Sequence, residues 1–405
     1  MGTISALAFV GQNANGILTW LTHSIAERAS TYGVSMTVID FNDEHAGSKL
    51  NACLAQGRPS FCFSFQGFGM HFRAEAGNLW STLGVPFFSL MGDAPFHSPG
   101  LHANVGAGLF HVYTCEDFQQ AYRDIMNGPN FSLVYPGVYP PNPFADQTPW
   151  YDRDLEVVYV KTGVDSNALR AKWAELPNKM REVLEDASAV ALAGQKKTIA
   201  HIVTDAFAAR TMHFGVNKAL LLRVCSELDF YLRAVRAERM LREAMRHGAH
   251  IFGDWPHIEK AKTRARFHGT LPANQLNQLY ARSRILLNIS PSTLNFVHER
   301  IAAGLMAKAF IISDKTPFLD KALASYPNFK SVHIDSAKLP DEFDSRLADI
   351  RKMGASRDDG FLAMLEHGRR RSEHEFGADR FILEIIQMAT VDQLERNSSF
   401  WAFPR

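Results

Sequence analysis

The chain reads as an α/β protein built from two Rossmann-like lobes facing a cleft, with extra helices at the start of the second lobe and at the C-terminus. Three observations predict this. Short apolar runs alternate with helical stretches over the first third of the chain. A proline-rich stretch, Val134–Pro149, interrupts the pattern, and the alternation resumes after about residue 249. Strands that look buried on both faces, separated by helices, indicate parallel sheets covered by helices. In such sheets ligands bind beyond the carboxyl ends of the strands.

In the first lobe the expected strands are Ile4–Val10, Val34–Phe41, Phe61–Phe65 and Pro86–Leu90. Between them, Gly16–Tyr32 places Ile17, Leu18, Leu21 and Ile25 on one helical face, and Glu75–Leu83 is expected to be helical. The proline-rich connector sets the boundary between a lobe of residues 1–150 and a second of 151–385. Leu155–Val160 opens the second lobe as a strand. Helical patterns follow at about Asn167–Ala193, Lys196–Phe214 and Lys218–His247. The last of these carries Arg233, Arg236, Arg239, Arg242 and Arg246. Such a row is more often a solvated face paired with residues such as Glu238 and Glu243 than a phosphate-binding face. Strand-like segments then fall at Ala249–Phe252, Ala265–His268, Ile285–Ile289, Ala309–Ser313 and Ser331–Ile334. Helices are expected at Asn274–Ala281, Asn295–Ala307 and Thr316–Ser325. From Asp341 the chain is largely helical, ending in a tail, Asn397–Arg405, that contains Trp401.

Composition bounds the function. At 405 residues the chain is long enough for two domains, each with its own core. It is 46% hydrophobic and 21% charged, and 43 Lys+Arg against 42 Asp+Glu leave a net charge of +1. That balance excludes a dedicated nucleic-acid binder and a polybasic membrane arm. No window offers the ~18–20 apolar residues of a transmembrane helix. The first residues lack the positive region of a signal peptide, and Ala6 stands where a myristoylation motif needs Ser or Thr. Cys53, Cys62, Cys115 and Cys225 form no CxxC pair, which suits reduced thiols and a cytoplasmic location.

Dinucleotide chemistry is weakly supported. After the first strand, Gly11 and Gly16 supply two of the three glycines the fingerprint needs, and after the third strand Phe72 replaces the last glycine of Gly67-Phe68-Gly69. No P-loop occurs. The turn at Gly11 and Asn13 is either a sugar or phosphate loop or a plain strand-to-helix turn. In the second lobe, strands end in Gly253-Asp254-Trp255, in His268-Gly269-Thr270-Leu271, and in Asn288-Ile289-Ser290, and a helix opens around His298-Glu299-Arg300.

This order resembles the nucleotide-sugar lobe of GT-B glycosyltransferases, and most of all the CgeB-like branch with its family 1-type C-terminal domain. The residues that carry it are an arginine-rich helix, then FGDW, FHGTLP, LYARSRILLNIS and HERIAAGLMAKAFIISD, over about Glu227 to Thr316. Leu90-Met91-Gly92-Asp93-Ala94-Pro95 is similar to that branch's D-x-P loop. The pattern departs at Ala303, where the family often has an acid, and at Lys308, where it has glycine. The Glu-x7-Glu pair of retaining relatives is absent, so stereochemistry does not follow. The resemblance implies a glycosyltransferase that moves a sugar from a nucleotide-sugar donor in the second lobe to an acceptor in the first. A final segment, 386–405, is expected to return to the first lobe.

The chemistry of the lobe fits that reading. A diphosphate needs charge compensation, supplied most easily by a helix N-terminus and an arginine. The helix expected to open at Asn295, capped by Ser292 or Thr293, would bring Arg300 to the pyrophosphate, with Glu299 on sugar or ribose hydroxyls and His298 donating a proton to the leaving phosphate. Gly253, Trp255, His268, Gly269, Thr270 and Leu271 would hold the base, beside Asn288 and Ser290. From the first lobe, Asp93 is the expected base, with His71 and His97 as rivals, and Gly11, Asn13 and Gly67 form the acceptor or phosphate loop. Plainer readings stay open: Glu299–Arg300 as an exposed pair, His298 as a surface histidine, Trp255 as core, Asp93 as a turn residue. Asp152-Arg153-Asp154, the one D-x-D, precedes a strand, so a metal-independent reaction without a cofactor is expected. The expected partners are a nucleotide sugar and an unknown acceptor, with no nucleic acid, and attachment to a membrane through a lipid-linked acceptor stays open. The alternatives are a sugar-nucleotide epimerase or hydrolase on the same scaffold, or a non-catalytic two-lobed binding protein.

Overall fold

The structure, a computed structural model, describes residues 4–11, 13–103, 106–126, 133–134, 137–212 and 218–397. Residues 135–136 of the proline-rich connector, 213–214 of the helix expected at 196–214, and 398–405 of the tail lie outside that description.

The first lobe carries strands β1 (Ile4–Val10), β2 (Val34–Asp40), β3 (Phe61–Phe65), a small hairpin of β4 (Arg73–Ala74) and β5 (Gly77–Asn78), then β6 (Phe87–Met91), β7 (Leu109–Tyr113) and β8 (Leu133–Val134). Its helices are α1 (Ile17–Ser30), α2 (Ala46–Gln56), α3 (Leu79–Leu83), α4 (Pro99–His102) and α5 (Glu116–Met126). Apart from the hairpin, the strands form one parallel sheet in the order β2-β1-β3-β6-β7-β8. Phe61–Phe65 and Phe87–Met91 are buried along their whole length, as apolar runs interrupted only by Ser64 and Ser89 predict.

The second lobe opens with β9 (Leu155–Val160) and then inserts α6 (Ser166–Ala171), α7 (Asn178–Leu192), α8 (Ile199–Ala209) and the long α9 (Lys218–Arg246). The sheet resumes with β10 (His250–Phe252), β11 (Arg266–Phe267), α10 (Leu276–Arg282), β12 (Ser283–Asn288), α11 (Glu299–Met306), β13 (Phe310–Asp314), α12 (Pro317–Ala322) and β14 (Phe329–Val332). Helices α13 (Leu339–Ala355), α14 (Asp359–Phe376) and α15 (Ala378–Asn397) finish the chain. The strands are parallel, ordered β11-β10-β9-β12-β13-β14. Strand order reverses between β9 and β12, so the crevice beyond their carboxyl ends is the natural ligand site.

Two packing features hold the lobes together. The inserted helices share an apolar core with the first lobe: Met91, Tyr113 and Phe118 pack with Leu184, Leu228 and Phe296. At the other end, α15 lies on the first lobe, with Phe381 edge-on to Phe63 at 5.5 Å between centroids and Arg28 forked onto Asp379. The expected boundary at 385/386 therefore falls inside one helix. No helix among the described residues is long and apolar enough to cross a membrane.

Candidate active site

Where the two sheets face each other, the carboxyl ends of β9 and β10 and the starts of α10 and α11 close a cavity of about 240 Å³, roofed by Asn15 and Ile17 of the first lobe. Gly253 makes this approach possible. Its φ is +121°, and a Cβ there would lie 2.3 Å from the Lys161 carbonyl oxygen. Its N–H donates to Gly269 O at 2.6 Å, and Thr270 Oγ1 donates to Asp254 at 2.7 Å, so two strand-end loops are tied into one wall.

The helix at the site begins at Glu299 and not at Asn295. The physical reason is that the preceding loop is fully engaged elsewhere. Asp314 accepts from Ser290 N, and Asp117 on α5 accepts from Leu294 N and from Asn295 Nδ2. Asn295 thus bridges the lobes, and neither Ser292 nor Thr293 caps the helix; His298 stands at the N-cap.

His298 is buried, and burial followed by the repulsion of Arg300 lowers its pKa to about 4. Its Nε2 lies 2.8 Å from the Arg300 guanidinium and must accept from it. Its Nδ1 lies 3.0 Å from Glu299 Oε2 and 3.2 Å from Arg300 N. One nitrogen cannot donate to the first and accept from the second. With Nε2 already an acceptor, the proton of the neutral ring sits on Nδ1 and points to Glu299. The expected proton donation from His298 to a leaving phosphate is therefore corrected: the ring is neutral, and its one proton is held by Glu299. It orients Arg300.

Arg300 also donates to Val160 O at 3.1 Å, so among the described residues both of its hydrogen-bond partners are uncharged. Beside it stands Lys161, the first residue beyond β9. Burial, then the like charges of Arg300 and Arg233, push its ammonium down to about 7, and Glu299 and Asp229 offset this only in part. No carboxylate among the described residues lies within ion-pair distance of it. Glu299, half exposed in the cavity wall, is raised by desolvation but brought down to about 2 by His298 and Arg300.

Across the cleft, Asp93 follows β6 and is half exposed; Gln66 Nε2 donates to it at 2.8 Å, and Arg233 on α9 approaches to 3.8 Å. Arg233 also lies 2.7 Å from buried Asp229, which meets His97 at 2.7 Å. His97 is thus a bridge from the first lobe to α9 and not an open base. Of the arginine row, Arg236 and Arg239 clasp Asp335, Arg242 faces Glu238, and Arg246 pairs with Glu243 and Asp344. Only Arg233 turns toward Asp93.

Several expected residues lie elsewhere. Trp255 is wholly buried, with its ring filling the space over Gly163, so it has no face for a base. His268 stacks on Phe252 and His250 at the sheet edge. Asn288 and Ser290 join Ser313 and Asp314 in a buried network that ties β12 to β13. Asn13 bonds to Gly11 O, Thr19 and Leu18 N, serving the turn into α1. Gly67 lies beneath Ser89, and His71 faces Leu101 O. In the D-x-D, Arg153 is buried against the Ser283 and Ala307 carbonyls and Asp154 pairs with Arg282. No group of three or more His, Cys, Asp or Glu among the described residues could hold a metal ion. Sequence reasoning passed over Lys161 and Gln66. The available signal was position: each is the first residue beyond a buried strand, where ligands bind.

Comparison with known proteins agrees with this architecture. Residues 233–387 match the family model described as Glycosyl transferase-like. An alpha-glucosyltransferase solved with UDP and a 13-mer DNA containing an HMU base is similar in fold, with a TM-score of 0.53 at 9% identity, over 96% of this chain and 100% of the other. AviGT4, a glycosyltransferase involved in avilamycin A biosynthesis, gives 0.51 at 11% identity, over 95% and 97%. No curated protein matches in sequence. The two-lobed fold is thus shared along nearly the whole chain with these glycosyltransferases, and residues 233–387, the greater part of the second lobe, match a glycosyl transferase-like model.

Proposed function

We propose that the cavity holds a nucleoside diphosphate sugar, with the diphosphate on Lys161 and Arg300 and the base against the wall formed by Gly253, Thr270 and Leu271. The observation that carries this is a pair of cations with no carboxylate of their own. A dianionic diphosphate would supply the counter-charge that offsets the desolvation and the like-charge repulsion depressing Lys161, and would accept charge-assisted hydrogen bonds from both groups. These two groups, without a metal ion, supply the compensation in this reading. Residues 1–150 then form the acceptor lobe and those from 151 to the start of α15 the donor lobe, with α15 returning to the first. The four cysteines are free thiols, which supports a cytoplasmic setting.

In the transfer, Asp93 accepts the proton of the acceptor hydroxyl as its oxygen bonds to the anomeric carbon. The bond from that carbon to the phosphate oxygen breaks, and its electron pair leaves with the diphosphate, where Lys161 and Arg300 meet the developing charge. Glu299, beside them, faces the hydroxyls of the sugar or ribose. His298 and Val160 O hold Arg300 in place, so the charge is oriented before substrate arrives.

A thermal-shift series with UDP-, GDP-, CDP- and ADP-sugars, each with and without EDTA, tests the reading. A ligand at a hundredfold excess over its Kd raises stability by about 2.7 kcal/mol. One donor should produce a shift that survives EDTA and is weakened in Lys161→Met. A flat series, or a shift unchanged in that variant, overturns the donor site.

A further inference from the structure

Facing the donor cavity, the first lobe presents loops at the carboxyl ends of β1, β2, β3 and β6 whose chemistry differs sharply from that of the second lobe. Residues 11–16, 41–45, 66–71 and 92–98 contain no lysine or arginine, and they carry the carboxylates Asp43, Glu44 and Asp93. Asp40 adds a fourth at the end of β2. The cations of the cleft, Lys161, Arg233 and Arg300, all come from the second lobe.

Onto this neutral-to-acidic face the chain turns out aromatic rings. Phe68 and Phe230 are the exposed phenylalanines among the described residues, at 36% and 47%. Both stand on segments that frame Asp93. Phe68 is two residues beyond Gln66, whose amide holds Asp93, and the Phe230 ring lies 4.4 Å from that of His97, tilted by 40°, in the loop that carries Asp93. Exposing large apolar rings costs free energy unless a ligand covers them. The β3 loop is shaped for the purpose. Gln66 has φ +55°, Gly67 +69° and Gly69 +77°, so three of four consecutive residues are left-handed, including a glutamine. Strain of this kind persists where function requires it. It seats the Phe68 ring against Phe41, 5.6 Å between centroids, and over Gly11, where a Cβ would come within 1.9 Å of the ring.

We propose that this face, Phe68 with Phe230 flanking Asp93 and Gln66, is the acceptor subsite, and that its ligand is an uncharged sugar ring. This rests on the donor reading above. A pyranose has an apolar C–H face to lie on an aromatic ring and edge hydroxyls to reach Asp93 and Gln66. A nucleic acid or a pyrophosphate-linked lipid would bring phosphates to a surface of carboxylates whose one neighbouring cation, Arg233, is already held by Asp229 and Asp93.

The test is saturation-transfer NMR on the full chain, with its donor site filled by UDP. The probes are methyl α- and β-glycosides of glucose, galactose and mannose, and a short single-stranded oligodeoxynucleotide. At least one glycoside should receive saturation on the ring protons of one face. That signal should vanish in Phe68→Ala, return in Phe68→Trp, and be unaffected by the oligonucleotide. Because Phe68 also packs on Phe41 and over Gly11, thermal melting checks the fold of each variant, and UDP titration of each checks that the donor site is intact. If UDP itself fails to bind the wild type, the donor reading has failed. If UDP binds while no glycoside does, or Phe68→Ala binds glycosides as well as wild type, or the oligonucleotide displaces them, the acceptor assignment alone is overturned.

Discussion

Lys161 makes the donor site a proton-linked one. In the free protein its pKa is about 7, because it is partly desolvated and stands beside Arg300 and Arg233. A bound diphosphate supplies the missing counter-charge and raises that pKa. The sign follows directly. Below pH 7 the ammonium is charged in both states, and affinity does not change with pH through this group. Above pH 7 the free protein has lost the proton that the complex retains, so binding takes up a proton and affinity falls. One unit above its pKa, about a tenth of the free lysines are charged, so binding costs about 1.4 kcal/mol more per pH unit, a tenfold loss of affinity. Among the other groups at the cavity, His298 titrates near 4 and Glu299 near 2, and burial moves Tyr159 and Tyr280 far above the range. Calorimetric titration with UDP-glucose between about pH 6.5 and 9, in buffers of different ionisation enthalpy, reads both quantities. The diphosphate diester keeps its two charges throughout. Expected are a plateau, then a decline of nearly tenfold per unit with uptake approaching one proton. Lys161→Arg stays charged and should flatten the profile; Lys161→Met should flatten it at lower affinity. A wild-type profile already flat, with no proton uptake, would refute the reasoning.

Other perturbations separate binding, catalysis and fold. Arg300→Ala removes a charged donor held by Val160 O and His298, and should weaken UDP binding by about 1.5–3 kcal/mol in a calorimetric titration. Asp93→Asn keeps the Gln66 contact but not the basicity; turnover should fall on the order of 10²–10⁴-fold while UDP-glucose affinity holds, as an initial-rate assay beside a binding isotherm would show. Gly253→Ala forces a Cβ against the Lys161 carbonyl at positive φ and should cost about 1–3 kcal/mol in denaturant unfolding, with donor binding reduced alongside.

The two parallel sheets were legible because buried strands of Val, Ile, Leu and Phe stand apart from the helices between them. What escaped notice were elements with weak or mixed signals. Ala46–Gln56 buries only Ala46 and Leu50, so no apolar stripe announces it. Leu109–Tyr113 carries His111 in mid-strand, buried against Tyr113 and Tyr122. Helix α5 did carry the i, i+3, i+4, i+7 pattern in Phe118, Ala121, Tyr122 and Ile125, and was readable. Glu75–Leu83 reads as one helix but begins as a hairpin, because Gly77 at φ +125° and the capping Asn78 confine the helix to Leu79–Leu83. At the site the difficulty was of another kind. Whether Trp255 or His298 faces a ligand depends on what packs over it: Gly163, from a distant part of the chain, over Trp255, and over His298 the Arg300 guanidinium, which Val160 O holds in place. The start of α11 was misplaced because Asp117, 177 residues before Leu294, claims the loop that local propensity would have made helical.

The departure at Ala303 gains a physical meaning from this geometry. Ala303 is wholly buried among Ile301, Leu305 and neighbouring core residues, whereas Glu299, one turn earlier, stands half exposed in the cavity wall between His298 and Arg300. A carboxylate at 303 would enter apolar packing with no cation to meet it; at 299 it is held ionised. One turn of helix is about 5.4 Å, enough to move the acid from the core to the ligand. Ala303→Glu should therefore lose several kcal/mol of stability through an unpaired buried charge and gain nothing in donor affinity. Glu299→Gln should do the reverse, leaving the melting temperature nearly unchanged while weakening UDP-glucose more than UDP if the carboxylate addresses the sugar. Were Ala303→Glu to melt with wild type and bind the donor more tightly, the helix would present position 303 to the ligand, and the placement of Glu299 as the carboxylate of the site would be wrong.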